Sequence, residues 1–149
     1  MRIALYQPDI PQNTGNIIRL AACFNFPVDI IEPASFFLDD KRMKRAAMDY
    51  LNHTSITRHI DWLSFKQWSK KNNFRIILLT TKGSKNYFEF SYNNNDIILL
   101  GRESAGVNPE IHQDVDERIV IPVQKGLRSL NVSSAAAIVV GEAFRQLQL

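Results

Sequence analysis

Apolar residues gather along this chain in short unbroken runs, separated by longer amphipathic stretches. Five runs stand out: IALY at 3–6, VDII at 28–31, IILLT at 76–80, DIILLG at 96–101 and RIVIP at 118–122. They are rich in Ile, Val and Leu and do not alternate with polar residues. A strand covered on both faces has this pattern, because neither face needs to meet water. Between the runs the apolar spacing turns helical. Ile17, Leu20, Ala21 and Phe24 predict a helix over Asn16–Phe26. DDKRMKRAAMDY predicts a strongly charged helix with an acidic start over Asp39–Tyr50. Leu63, Phe65 and Trp68 mark a third helix over Trp62–Asn72, and Ala135, Val139, Ala143 and Leu147 a last one near Asn131–Leu147. Strand alternating with helix predicts an α/β fold, a mostly parallel sheet with helices on both faces. SYNNND at 91–96 is a polar turn, and nothing resembles a linker or repeat, so residues 1–149 are expected to form one domain.

Composition changes this picture little. The length, 149 residues, is enough to bury a core without disulfides or structural metal. One cysteine, Cys23, excludes an internal disulfide and fits a reducing compartment; its place on an apolar helix face predicts a core position. No basic leader precedes the first strand and no apolar run approaches membrane-spanning length, so a cytoplasmic protein with no membrane association is expected. A net charge of +3 with a pI near 9.1 favours polyanionic partners only mildly.

The chemistry concentrates in three polar, glycine-bearing stretches, each following an apolar run. In parallel α/β sheets ligands bind beyond the carboxyl ends of the strands, so each stretch is a candidate. In PQNTGNIIRLAACF, from Pro11, either Asn13 or Thr14 suits a helix cap, and Gly15 permits a tight helix start. Asn16 and Arg19 share a helical face, and a guanidinium at the ligand edge suits phosphate or ribose oxygens. In LLGRESAGVNPEI, from Leu99, Gly101 and Gly106 let backbone approach a ligand closely, with Glu103 between them. In IPVQKGLRSLNVSSAAAIVV, from Ile121, any of Ser129, Asn131 or Ser133 suits the cap of the last helix, and Ala135–Ala137 allow close packing.

Other chemistry lacks support. No G-x-G-x-x-G, P-loop or G-x-S-x-G motif occurs. His53, His59 and His112 lack metal-ligand spacing, so no metal is expected. Trp62 and Trp68 suit a core or interface better than a base-stacking platform. KRMKR holds Lys41, Arg42, Lys44 and Arg45, a helix face that suits solvent or RNA phosphates.

Taken together, in this order, the three stretches resemble the motifs of the SPOUT superfamily of methyltransferases, in its TrmH-like branch, which methylates ribose 2′-hydroxyls of RNA. NTGNIIR resembles the first motif, LLGRESAGV the second and IPVQKGLRSLNVSSAAAIVVGEA the third. LYQPDIPQNTGNIIRL, DDKRMKRAAMDY and TTKG are similar in particular to the TrmL subfamily, tRNA wobble-nucleotide 2′-O-methyltransferases. The resemblance covers essentially the whole chain. It implies a deep trefoil knot in the C-terminal part of the sheet, which no pattern argument would predict. It implies S-adenosylmethionine as cofactor, and a homodimer in which the partner chain completes each site. The implied substrate is the wobble cytidine or uridine of tRNA, typically of leucine isoacceptors. Cofactor contacts carry over to Leu79, Gly101, Ile121 and Ser129, with Leu130 and Gly106 beside them. Asn13, Arg19, Glu103 and Asn131 match the polar catalytic positions, Arg19 the catalytic arginine. A guanidinium resists deprotonation in proteins, so Arg19 is expected to orient ribose and phosphate rather than act as a base, held by Glu103 or Asn131.

One departure is Gly141, where the subfamily commonly carries tyrosine; it bears on dimer strength or substrate affinity. The rival readings are 2′-O-methylation of another RNA, such as ribosomal RNA, and a non-catalytic RNA-binding homodimer.

Overall fold

The computed structural model describes residues 1–37 and 39–147. Strand β1 (Arg2–Tyr6) leads into helix α1 (Pro11–Cys23), β2 (Val28–Ile31) and α2 (Lys41–Ala47). A 3-10 turn, Met48–His53, continues from α2. Then follow β3 (Ile56–His59), α3 (Trp62–Lys71), β4 (Arg75–Leu79), β5 (Lys85–Asn86), β6 (Asp96–Leu100), α4 (Pro109–Asp114), β7 (Glu117–Val120) and α5 (Val132–Leu147). The seven strands form one parallel sheet in the order β3-β2-β1-β6-β4-β7-β5.

The five apolar runs are its interior strands. Alternate residues of each serve opposite faces, which is why the runs carry no polar alternation. Ile3 and Leu5 pack with Ile17, Ile30, Ile98, Ile119, Ala136 and Val139 under α1 and α5. Ala4 and Tyr6 pack with Ile31, Phe65, Leu78, Leu99 and Ile111 under α3 and α4, with Trp62 and Trp68 half-buried beside them. A smaller cluster, Ile18, Met43 and Ala47, docks α2 on the outside of α1.

Two strands escape the apolar pattern. β3, ITRH, has only one buried residue, and β5 is a two-residue edge. Edge strands have little apolar surface to hide, so hydrophobicity does not reveal them. Buried charge is neutralised between neighbours. Asp29 of β2 is fully buried and accepts from Arg2 Nε at 2.7 Å, with His59 Nε2 2.8 Å away. Asp96 of β6 meets Arg75 Nε and a second guanidinium nitrogen, both at 2.8 Å.

Helix α1 starts at Pro11, five residues before the expected Asn16. Proline supplies a fixed φ and needs no N–H bond in the first helical turn, so it begins the helix without a side-chain cap. Asn13 and Thr14 are therefore inside α1 and buried, not caps. Gly15 likewise is no entrance turn. A Cβ there would stand 2.5 Å from the Met43 carbonyl oxygen and 2.7 Å from Ala46 Cβ, so its bareness lets α2 lie directly on α1. Cys23, expected in the core, is exposed, because it ends α1 beyond the sheet's cover.

The chain revisits the sheet out of order: β6 enters between β1 and β4, and β7 between β4 and β5. The segment after β4 crosses the backbone of β7 closely. A Cβ on Gly83 would collide with the Ile119 carbonyl group, so only glycine fits that crossing.

Candidate active site

The strand order reverses direction beside β1, and the crevice at such a reversal is where parallel sheets bind ligands. A cavity of about 890 Å³ opens there, at the carboxyl ends of β4, β6 and β7. That volume lies in the range of small-molecule sites.

Three loops make its walls. After β6 the chain turns back on itself: the Arg102 N–H donates to the Gly106 carbonyl at 2.9 Å, and the Gly106 N–H returns to the Arg102 carbonyl at 2.8 Å. Gly106 takes φ +67°, and a Cβ on Gly101 would stand 2.7 Å from the Gly106 carbonyl carbon. Both glycines are thus demanded by the loop itself. After β4, Leu79–Lys82 form a second wall, and after β7, Ile121–Val123 with Leu127–Asn131 form the third.

A chain of side-chain bonds ties the three polar stretches together. Asn131 caps α5, its Oδ1 accepting from the backbone N–H of Ser133 at 2.9 Å and of Ser134 at 3.3 Å. Its Nδ2 donates to Asn13 Oδ1 at 2.9 Å. Asn13 Nδ2 donates in turn to Glu103 Oε1 at 3.1 Å, and the Asp9 N–H donates to Glu103 Oε2 at 3.0 Å. The Ser104 hydroxyl donates to the Asp9 carboxylate, and Arg102 Nε stands 3.6 Å from it.

The Asp9 and Glu103 carboxyls shift each other in opposite directions. Burial first, then the bond to Asp9, raises the Glu103 carboxyl above its ordinary range. The bond from Glu103 first, then Ser104 and Arg102, lowers Asp9, against its own burial. As pH falls, Glu103 therefore takes up a proton before Asp9 does. Sequence reasoning passes over Asp9, although it stands four residues before Asn13 in the same motif.

Asn13, Glu103 and Asn131 line the cavity, as do Leu79, Gly101, Gly106, Ile121, Ser129 and Leu130. Arg19 does not. It lies on the exposed outer face of α1, its guanidinium carbon 5.4 Å from the Tyr50 ring centre. Neither Glu103 nor Asn131 holds it within one chain, contrary to expectation, because both are spent on the Asn13 relay. Lys41, Lys44 and Arg45 project from α2 into solvent, away from the cavity wall. Arg42 is partly spent: it clamps Asp40, the cap of α2, through Nε at 3.2 Å and a second nitrogen at 2.9 Å. That clamp holds the Asp40 carboxyl down at about 2.

The cavity suits a nucleoside-bearing cofactor. Close-approaching backbone, apolar Leu79, Ile121 and Leu130, and hydroxyl and amide groups of Ser129 and Asn131 line one space. The Nε2 of His112, also on its wall, is buried without a partner among the described residues, which leaves it free for a ligand. Among the described residues no cluster of His, Cys, Asp and Glu could hold a metal, and no helix is long and apolar enough to cross a membrane.

Comparison with known proteins agrees with this geometry. A protein of Beijerinckia indica named tRNA (cytidine(34)-2′-O)-methyltransferase is 48% identical over 97% of this chain and 91% of its own length. The Escherichia coli K12 protein of the same name is 43% identical over 99% of this chain and 94% of its own. A solved structure concerning 2-OH methylation of C/U34 on tRNA superposes with a TM-score of 0.94, at 33% identity, covering 99% of this chain and 95% of that one. An AdoMet-bound rRNA methyltransferase from Sinorhizobium meliloti superposes at 0.91 with 25% identity, covering 98% of this chain and 56% of its own. The SpoU rRNA methylase family matches residues 1–141, and the chain belongs to that family.

Proposed function

We propose that the protein is a tRNA 2′-O-methyltransferase that uses S-adenosylmethionine to methylate the wobble ribose, on cytidine or uridine at position 34. The observation that carries the reading is the cavity beyond β4, β6 and β7, where the Asn131–Asn13–Glu103 relay locks three separate motifs around one ligand space. When bound, S-adenosylmethionine supplies a methyl group already activated on a sulfonium sulfur. Leu79, Gly101, Gly106, Ile121, Ser129 and Leu130 are the residues that would hold it.

The chain's own task is to position the ribose oxygen and stabilise the charge developing there. Arg19 is assigned that role. Its planar fork can span a phosphate and a neighbouring ribose oxygen together. It lies outside its own cavity, which favours a homodimer in which each Arg19 serves the partner's site. Ile138 on α5 and Leu127 and Leu130 on the cavity rim are exposed, a surface such a partner would cover. The trefoil knot belongs to the same proposal, at the crossing where Gly83 meets β7. Lys41, Lys44 and Arg45 are assigned to tRNA phosphates, and leucine isoacceptors are the proposed substrates, in a single cytoplasmic domain.

The test is methyl transfer from labelled S-adenosylmethionine to unmodified total tRNA, with nucleoside mapping, for wild type and Arg19→Ala. Label in 2′-O-methylcytidine or 2′-O-methyluridine at the wobble position, sharply reduced in the variant, is the expected result. The family's description names rRNA, so ribosomal RNA is the control substrate. Label there and none in tRNA would move the assignment to rRNA.

A further inference from the structure

Five of the ten arginines of this chain are held closely by carboxylates. Arg2, Arg42, Arg58, Arg75 and Arg145 each have one at 2.5–2.9 Å. Arg19 has neither a hydrogen bond nor an ion pair from its side chain among the described residues; what lies against its guanidinium is the ring of Tyr50. The difference is chemical. A carboxylate occupies the N–H fork and leaves less of it for a substrate. A ring meets the guanidinium charge through its π face, fixes the plane, and leaves the in-plane N–H donors free.

The fold builds that ring into place. Tyr50 is half-buried on the 3-10 turn after α2. Gly15 brings α2 directly onto α1, and Met48, at φ +54°, turns the chain so that this segment continues alongside α1. The His53 ring lies edge-on to Tyr50, with centres 6.4 Å apart.

We propose that Tyr50 is a positioning residue for Arg19, holding the guanidinium plane while its donor fork stays open to the phosphate and ribose oxygens of an RNA strand. The inference rests on the role given to Arg19 in the proposed function.

The test compares wild type, Tyr50→Phe, Tyr50→Leu, Arg19→Ala and the Arg19→Ala/Tyr50→Leu double variant in methyl transfer to tRNA. Cofactor affinity is measured alongside by calorimetry. Tyr50→Leu should lower kcat about ten-fold or more, with KM for tRNA and cofactor affinity held within about three-fold. Tyr50→Phe, which keeps the ring, should recover most of that turnover. In the Arg19→Ala background, Tyr50→Leu should cost nothing further, because the residue it positions is already gone. Wild-type turnover in Tyr50→Leu would overturn the inference. So would an equal loss in both backgrounds, which would give Tyr50 a role independent of Arg19. Wild-type turnover in Arg19→Ala would instead overturn the role of Arg19, and the inference with it.

Discussion

Glu103 and Asp9 set a pH dependence that a single carboxylate would not. Asp9, lowered in the fold, contributes stability above the ordinary aspartate range and loses it as pH falls through its depressed value. Glu103, raised, contributes fully below the ordinary glutamate range and loses its share as pH rises through its elevated value. Glu103→Gln carries a permanent neutral donor. Urea unfolding from about pH 4 to 8 should therefore show wild type losing stability relative to Glu103→Gln as pH rises; parallel profiles would mean that the fold does not raise Glu103. Gly101 makes a second prediction at this scale. A methyl group there meets backbone, not a mobile side chain, so the Arg102–Gly106 loop must open. Gly101→Ala should cost about 1–3 kcal/mol by thermal unfolding and weaken cofactor binding at least about ten-fold by calorimetry. Gly141 is the opposite case: a methyl group added there would meet nothing within 4 Å among the described residues, so its bareness answers no packing need among them.

Among the elements, α2 separates charge held by the fold from charge left for a partner. Arg42 is committed to Asp40, whereas Lys41, Lys44 and Arg45 are exposed and unclamped among the described residues. Replacing those three by alanine should flatten the dependence of log K for tRNA on log salt by about 0.7 for each phosphate no longer neutralised. Arg42→Ala should change that slope least, and equal slopes throughout would remove α2 from the RNA interface. The elements themselves are unevenly visible in the sequence. Interior strands announce themselves because both faces are apolar; β3 and β5 do not, because an edge has little to bury. Sequence pattern places the start of α1 too late because Asn13 and Thr14 are good capping types, yet Pro11 has already begun the helix and their side chains face inward. The three motifs are legible as separate stretches, and the cap of α5 is among the residues named for it.

For the whole molecule, the decisive fact is that Arg19 and the cavity belong to different surfaces of one chain. If each site draws Arg19 from a partner, a variant lacking Arg19 and a variant with a damaged cofactor cavity should complement each other. Arg19→Ala mixed with Gly101→Ala, after subunit exchange, should recover up to about a quarter of wild-type methyl transfer, since half the dimers are mixed and each has one intact site. Additive inactivity in the mixture would show that Arg19 acts within its own chain. Local sequence is enough to dictate buried parallel strands, amphipathic helices, loops that only glycine can close, and the residue types that line the cavity. Those properties follow from the periodicity and side-chain chemistry of adjacent residues. The strand order β3-β2-β1-β6-β4-β7-β5, the opposed shifts of Asp9 and Glu103, and the contact of Arg19 with the Tyr50 ring arise only on folding. Each of these joins residues far apart along the chain, and such contacts exist only once the sheet has brought them together.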